Sequence, residues 1–366
     1  MEQIKDKATI TGLKVVLISI AIFLYLAFVL NLFYFLPIKD SLLWCIGIFL
    51  YFYIPGSLLL KCLNFNKDEY FVSLFHSIAL GAALMPLVYI IFRRLSHPEM
   101  IYPFGIAIFL AWLVLSLRDF KNRGINVYTT YKDILSVTVL IFAVFCLLHL
   151  SHFTDLIFFE KGFKIRNIYL NETIFHLGII NSLRGIFHPI YPYASGVDFS
   201  HYHLNMHYEI EMFNRLFSID TIKLTFFYFP LLYFSLLVFV PYIFVRKYWG
   251  MRFFGILTGI LMFGSDLSFI PGLLGMFPQG YAWTTFSTTT IWSLFTLNGN
   301  LPALFVMFLS ILYLKNYYED GRLLYLVIFA VLGFSAYGFK SSMGPHIMAA
   351  SFLTGIASMI FTKDKK

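Results

Sequence analysis

The chain is dominated by long, uninterrupted apolar runs, and these restrict its fold more than any other feature. About ten can be read: Val15–Leu36, Leu42–Leu60, Tyr70–Phe92, Tyr102–Leu117, Ile134–Leu150, Leu224–Val245, Phe253–Gly264, Leu301–Leu314, Leu323–Gly338 and Pro345–Phe361. Crossing the hydrocarbon of a bilayer takes about 20 residues of helix, and only a helix or a closed barrel satisfies its own backbone there. Runs of this length and number predict a bundle of membrane-spanning helices. Phe253–Gly264 is short for a span, so it extends through "SDLSFIPGLLG" or re-enters. The residues are 59% hydrophobic and 13% charged, too apolar for one water-soluble core. The 44 Phe and 24 Tyr suit lipid-facing helices with tyrosine belts at the interfaces. Cys45, Cys62 and Cys146 all fall in or beside apolar runs, which argues against a disulfide framework or a thiolate metal site.

The net charge of +8 is explained by topology. With the N-terminus placed in the cytoplasm, 17 Lys and Arg fall on cytoplasmic segments and four on short external loops: Lys39, Arg93, Arg94 and Lys340. That is a strong positive-inside bias, and it sets aside a nucleic-acid partner. The long polar stretch Ser151–Lys223 then lies outside. It holds seven of the 19 acidic residues and six of the ten histidines, so groups able to do chemistry gather on one side of the membrane. The expected fold is an all-α polytopic membrane protein of about ten transmembrane helices, with one large extracytoplasmic loop containing interfacial helices. Residues 1–133 read as an accessory block of about four spans. Residues 134–366 read as the core, which comprises the fifth span, the loop 151–223 and the later spans.

Within the loop, "NETIFHLGIINSLRG" predicts a helix capped by Asn171 and closed by Gly185 ahead of Pro189. Ile174, Leu177, Ile180 and Leu183 recur at helical spacing and can lie against the membrane surface. Glu172 sits in the first turn, where the helix dipole favours an ionised carboxylate, and His176 follows one turn later on the same face. Glu172 suits a base or a ligand; it equally suits simple dipole complementation. The segment "GIFHPIYPYASGVDFSHYH" reads as an extended connection whose Tyr191, Tyr193 and Tyr202 offer flat surfaces for a sugar or for the lipid interface.

A second helix is expected to begin near His201, capped by Asp198 or Ser200. On it His203, His207, Glu211 and Arg215 recur every four residues and form one polar stripe. Two histidines one turn apart plus a carboxylate can hold a divalent metal, although "HExxH" is absent. The same stripe also describes a substrate-facing wall or the wet face of an interfacial helix.

The stretch "YLNETIFHLGIINSLRGIFHPIYPYASGVDFSHYHLNMHYE" resembles the first large external loop of GT-C-type glycosyltransferases and their uncharacterised bacterial and archaeal relatives. The matching positions are Glu172, His176, Gly185, Phe187, Pro189, Tyr191, Pro192, Gly196, His201, Tyr202 and His203. The resemblance covers roughly Ile134 to Phe361 and is strongest over Tyr169–Tyr208. The family's loop acid is usually Asp, where this chain has Glu172. Family members usually continue beyond the position of Lys366, which implies a short member or a fragment.

The resemblance implies an enzyme that moves a sugar from a polyprenyl-phosphate-linked donor to an acceptor on the outer face. Such chemistry needs a base near the acceptor hydroxyl and positive charge at the leaving phosphate. Glu172 is the first choice of base and Asp198 the second, with His176 orienting Glu172 or relaying a proton. Lys340 and Arg184 are the candidates for the phosphate. Tyr191, Tyr193, His201 and Tyr202 are candidates for the rest of the substrate, and His203, His207 and Glu211 for a divalent metal serving the same electrostatic purpose. Competing readings are a transporter or assembly protein in envelope polysaccharide export, and an intramembrane metalloenzyme. A transporter should carry ionisable groups among its spans, whereas here the polar groups concentrate in the loop.

Overall fold

The structure is a computed structural model. It describes residues 8–11, 25, 28, 30–32, 34–63, 70–123, 126–129, 134–145, 156–159, 162–165, 170–185, 204–251, 253–256, 300–341, 345, 347 and 349. Strand β1 (Ala8–Thr11) is followed by helices α1 (Ile38–Cys62), α2 (Tyr70–Arg94) and α3 (Ile101–Arg123). Then come β2 (Asn126–Thr129), α4 (Ile134–Phe145), β3 (Leu156–Phe159) and β4 (Gly162–Ile165). The remaining elements are α5 (Leu170–Leu183), α6 (Asn205–Phe217), α7 (Thr221–Trp249), α8 (Asn300–Asp320) and α9 (Leu323–Phe339).

Helix dominates, as the apolar runs require. Among the described residues five helices are long and apolar enough to cross a membrane: Ile38–Cys62, Phe71–Arg94, Pro98–Arg118, Thr221–Trp249 and Leu301–Asp320. They coincide with the second, third, fourth, sixth and eighth runs. The fifth and ninth runs form the shorter apolar helices α4 and α9. The chain is therefore a multi-pass helical membrane protein. Pro86 inside α2 and Pro241 inside α7 each remove one backbone donor, a loss tolerated where neighbouring helices enclose the turn.

Helix α7 is the most enclosed of the five and supplies Phe227, Phe229, Tyr233, Phe234 and Phe239 to the core. Helix α3 is the most peripheral and leaves Tyr102, Ile106, Leu110 and Val114 exposed along one side. Helices α1 and α2 cross with almost no gap. A methyl group at Gly56 would strike the backbone of Ser77, and one at Gly81 the backbone of Phe52. Small residues permit this approach, the usual means by which helices pack in lipid. Phe52 lies in the wide π-helical turn Ile48–Tyr53 within α1, so the crossing uses an irregular turn of one helix and a glycine of the other.

Contacts between elements sort the helix ends into two sets. In one set Asp40 pairs with Lys223 at 2.7 Å, Arg93 reaches Glu211, and the Tyr102 hydroxyl donates to the Arg215 carbonyl. In the other, Lys61 meets Ser116, Arg322 donates to the Leu63 carbonyl, and Lys247 donates to Asn316. Strands β1 and β2 pair antiparallel from Ala8↔Thr129 to Thr11↔Asn126, which places the N-terminal segment beside the α3–α4 connection. The two sets follow the alternation expected of successive spans. Strands β3 and β4 form a second short antiparallel ribbon.

The polar stretch differs from expectation in one major respect. Helix α6 does not lie on a wet surface. Every residue from Asn205 to Phe213 is buried, against α1, α2, α5, α7 and α9. The Phe213 ring abuts Gly47, nine residues inside the start of α1, so this side chain reaches a level roughly 13 Å along α1 from that helix end. The amphipathic pattern was legible, but its polar side meets protein rather than water. Helix α5 also packs inward: Ile179, Ile180 and Leu183 are fully buried, while Ile174 is half exposed.

Candidate functional site

Helices α5 and α6 carry the site, and their boundaries differ from those the sequence suggests. Helix α5 starts at Leu170, so Asn171 falls inside its first turn instead of capping it. It closes at Arg184 and Gly185, whose amides bond to the carbonyls of Asn181 and Ser182. Helix α6 begins at Asn205 rather than near His201, and the residue before it, Leu204, supplies no side-chain cap. It ends at Ser218 in the left-handed region, and Asn214 caps the turn through the Ile219 carbonyl.

The two helices meet through histidines. His176 Nδ1 lies 2.8 Å from His207 Nε2, and the rings stack with centroids 5.0 Å apart and planes 25° from parallel. Both are almost fully buried, at 3% and 1% exposure. One proton between the two nitrogens gives a neutral donor–acceptor pair. "NETIFH" and "HYHLNMH" are thus joined across the intervening connection. Glu172 stands one turn before His176 in α5, and its side chain lies outside the described residues.

One turn beyond His207 is a charge cluster. Glu211 accepts from the Tyr89 hydroxyl and from Arg93 Nη1 at 3.2 Å through one oxygen. Its other oxygen accepts from Arg215 Nε and Nη2 at 3.0 and 2.8 Å, a bidentate pair one turn along the same helix. Arg215 Nε also donates to the Tyr89 hydroxyl, and the Arg93 guanidinium lies over the rings of Tyr89 and Tyr208. Arg184 approaches from α5: Arg215 Nη2 donates to its carbonyl, and its own Nη2 donates to Thr221 Oγ1 at 2.6 Å. Two arginines therefore bind one carboxylate, and a third, Arg184, joins them through its carbonyl.

On the opposite side of α6 the polar groups have fewer partners. Asn205 Nδ2 donates to the Ser335 carbonyl, and a methyl group at Gly338 would strike the Asn205 amide. Glu209 is 0% exposed and accepts from the Tyr233 hydroxyl; its second oxygen has no hydrogen-bond partner among the described residues. Burial pushes this carboxyl well above the ordinary carboxylate range, an effect the Tyr233 bond opposes only in part.

The structure brings His176, His207, Glu211 and Arg184 together. Lys340 is placed at the end of α9, two residues beyond the glycine that touches Asn205. Asp198, Tyr191, Tyr193, His201, Tyr202 and His203 lie outside the described residues. As for a metal, among the described residues no group of three or more His, Cys, Asp or Glu is placed to hold an ion. His207 bonds a second imidazole and Glu211 is surrounded by arginine and tyrosine, so these two are engaged as a protein network. Tyr89, Arg93, Glu209 and Tyr233 escape a sequence reading. For Glu209 there was a signal: a second acid two residues before Glu211 falls on the side of the helix that the polar stripe leaves to apolar groups.

No family model, no curated protein and no solved structure matches the chain.

Proposed function

We propose that the chain is an integral-membrane glycosyltransferase that moves a sugar from a polyprenyl-phosphate-linked donor to an acceptor at the extracytoplasmic face. The single observation that best supports this is the joining of α5 to α6 through His176 and His207, beside an arginine-rich cluster at one set of helix ends. Arg93, Arg184 and Arg215 outnumber Glu211 three to one, so this end attracts anions such as a lipid phosphate. Lys340, near the start of α6, adds a further cation at the same end. By the positive-inside bias, this end faces outward and the end carrying Lys61, Lys247, Lys315 and Arg322 faces the cytoplasm. Glu172 acts as the base for the acceptor hydroxyl, and His176 orients it or relays its proton.

The alternative, a transporter in envelope polysaccharide export, gains support from the burial of His207, Glu209 and Glu211 inside the bundle, since buried ionisable groups mark translocation paths. Activity separates the two readings. Purified protein supplied with a polyprenyl-phosphate sugar and an acceptor should transfer the sugar, and Glu172→Ala should lower the rate at least 100-fold, the lower end of what a general base contributes. Undiminished transfer by the variant removes Glu172 from the mechanism. Uptake into proteoliposomes without transfer supports the transporter.

A further inference from the structure

Glu209 and Glu211 are two residues apart on one buried helix, and the bundle treats them in opposite ways. Glu211 has two arginines and a tyrosine hydroxyl as partners. Among the described residues Glu209 has Tyr233 alone, a neutral group, and its other oxygen meets no donor. The ring of Tyr233 itself packs on those of Phe229, Phe305 and Phe339. Among the described residues no cation pairs with the Glu209 carboxylate, and burying one ionised without a partner costs many kcal/mol. A neutral carboxylic acid fits.

We propose that Glu209 is a proton-binding site, and that its occupancy governs whether α6 stays docked in the bundle. With the proton bound, the carboxyl and the Tyr233 hydroxyl form a neutral pair between α6 and α7. When the proton leaves for solvent, Glu209 becomes an unpaired buried anion, and α6 must shift until water reaches it. The arginine-rich cluster and the histidine pair lie on the same helix, so proton release at Glu209 disturbs both. This site is independent of the sugar-transfer reading.

The sign follows from the burial. A carboxyl raised above its ordinary value, near 4.3 for Glu, stabilises the docked state fully below that value and loses the benefit as pH rises toward the docked-state value. Other titratable groups on the elements packed around α6 behave differently. The His176–His207 pair on α5 and α6 can take up a further proton only on acidification, the opposite direction from proton loss at Glu209. Tyr89 and Arg93 of α2 hold Glu211, as does Arg215 of α6 itself, and Tyr208 of α6 is raised further by burial. In α7 Tyr233 bonds Glu209 and Tyr228 bonds Ser41, while Lys223 pairs with Asp40 of α1. Cys45 of α1 is buried, and Lys340 follows α9. Tyrosine, lysine and arginine keep their protons through the neutral range.

The test is amide hydrogen exchange of residues 206–213 in the full chain held in lipid nanodiscs, corrected for intrinsic exchange, from about pH 5 to about pH 8. Protection in the wild type should fall with rising pH, by up to about tenfold per unit for a single proton, and Glu209→Gln should abolish that slope. A parallel measurement reads the carboxyl directly: the infrared stretch of a protonated carboxylic acid at about pH 7 should be present in the wild type and missing in Glu209→Gln. Protection independent of pH in the wild type overturns the proposal. So does a wild-type slope retained in Glu209→Gln, or loss of protection on acidification alone, which assigns the titration to the histidines. If Glu209→Gln does not fold, wild-type protein without the protonated-acid stretch overturns the proposal, and its presence at a frequency that Tyr233→Phe shifts, through loss of the hydrogen bond, supports it.

Discussion

Glu211→Ala should be among the most destabilising single substitutions in this protein, at about 3–5 kcal/mol, the cost of leaving a buried charge without its partner. The Glu211 side chain is 1% exposed and that of Arg93 is 4% exposed. Removing the carboxylate takes away the acceptor that Arg93 and Arg215 share. Replacing the buried pair as a whole costs less than breaking it, because well-packed apolar groups often substitute for a buried ion pair at little cost. A double substitution, Arg93→Met with Glu211→Met, should therefore recover part of the loss. Thermal unfolding in detergent or nanodiscs checks both: Glu211→Ala should melt well below the wild type, and the double variant between the two. A Glu211→Ala protein as stable as the wild type would show that the cluster is dispensable for packing. Sugar transfer by the folded double variant would then separate packing from any role in holding phosphate.

The second large effect is expected from Gly81→Ala, a change of one methyl group. That methyl would meet the carbonyl, the carbonyl carbon and the α-carbon of Phe52, all backbone atoms with no flexible side chain to swing aside. Overpacking usually costs about 1–3 kcal/mol and sometimes more, and a backbone-to-backbone contact belongs at the upper end. Helices α1 and α2 must separate to admit it, and α2 is the helix that brings Tyr89 and Arg93 to Glu211. Gly81→Ala should therefore lower the melting temperature and loosen exchange protection in α6 as well as at the crossing. Gly250→Ala offers a contrast. Nothing lies near that position, but its φ of +65° strains any side chain, so its smaller cost comes from the backbone alone.

The spans show how far local pattern carries. Leu42–Leu60, Tyr70–Phe92, Tyr102–Leu117, Leu224–Val245 and Leu301–Leu314 each lie within a helix long enough to cross a bilayer. The reason is physical: in lipid the backbone must bond to itself, so a long apolar run has few alternatives to helix. Helix α5 was also legible from its own residues, apart from a shift of two residues at its start. The link between "NETIFH" and the histidine-rich segment was open to inference from their shared polar character, and the His176–His207 contact now gives it a geometry.

Helix α6 shows where such reasoning ends. His207, Glu211 and Arg215 at four-residue spacing describe a polar stripe, and the stripe exists. Periodicity gives the side of the helix on which the stripe lies; it cannot say whether water or protein faces that side. Arg93, more than 100 residues earlier, reads as an ordinary charge at the end of a span until α6 is placed beside it. Residues of the chain by themselves determined the helical membrane architecture, because the solvent leaves the backbone so little choice. Only the tertiary structure decided that the polar helix is sunk among the spans, with one glutamate surrounded by arginines and the other facing a single tyrosine. The identity of a buried group's partners depends on chain segments far apart in sequence, and on which of them the packing brings within hydrogen-bond reach.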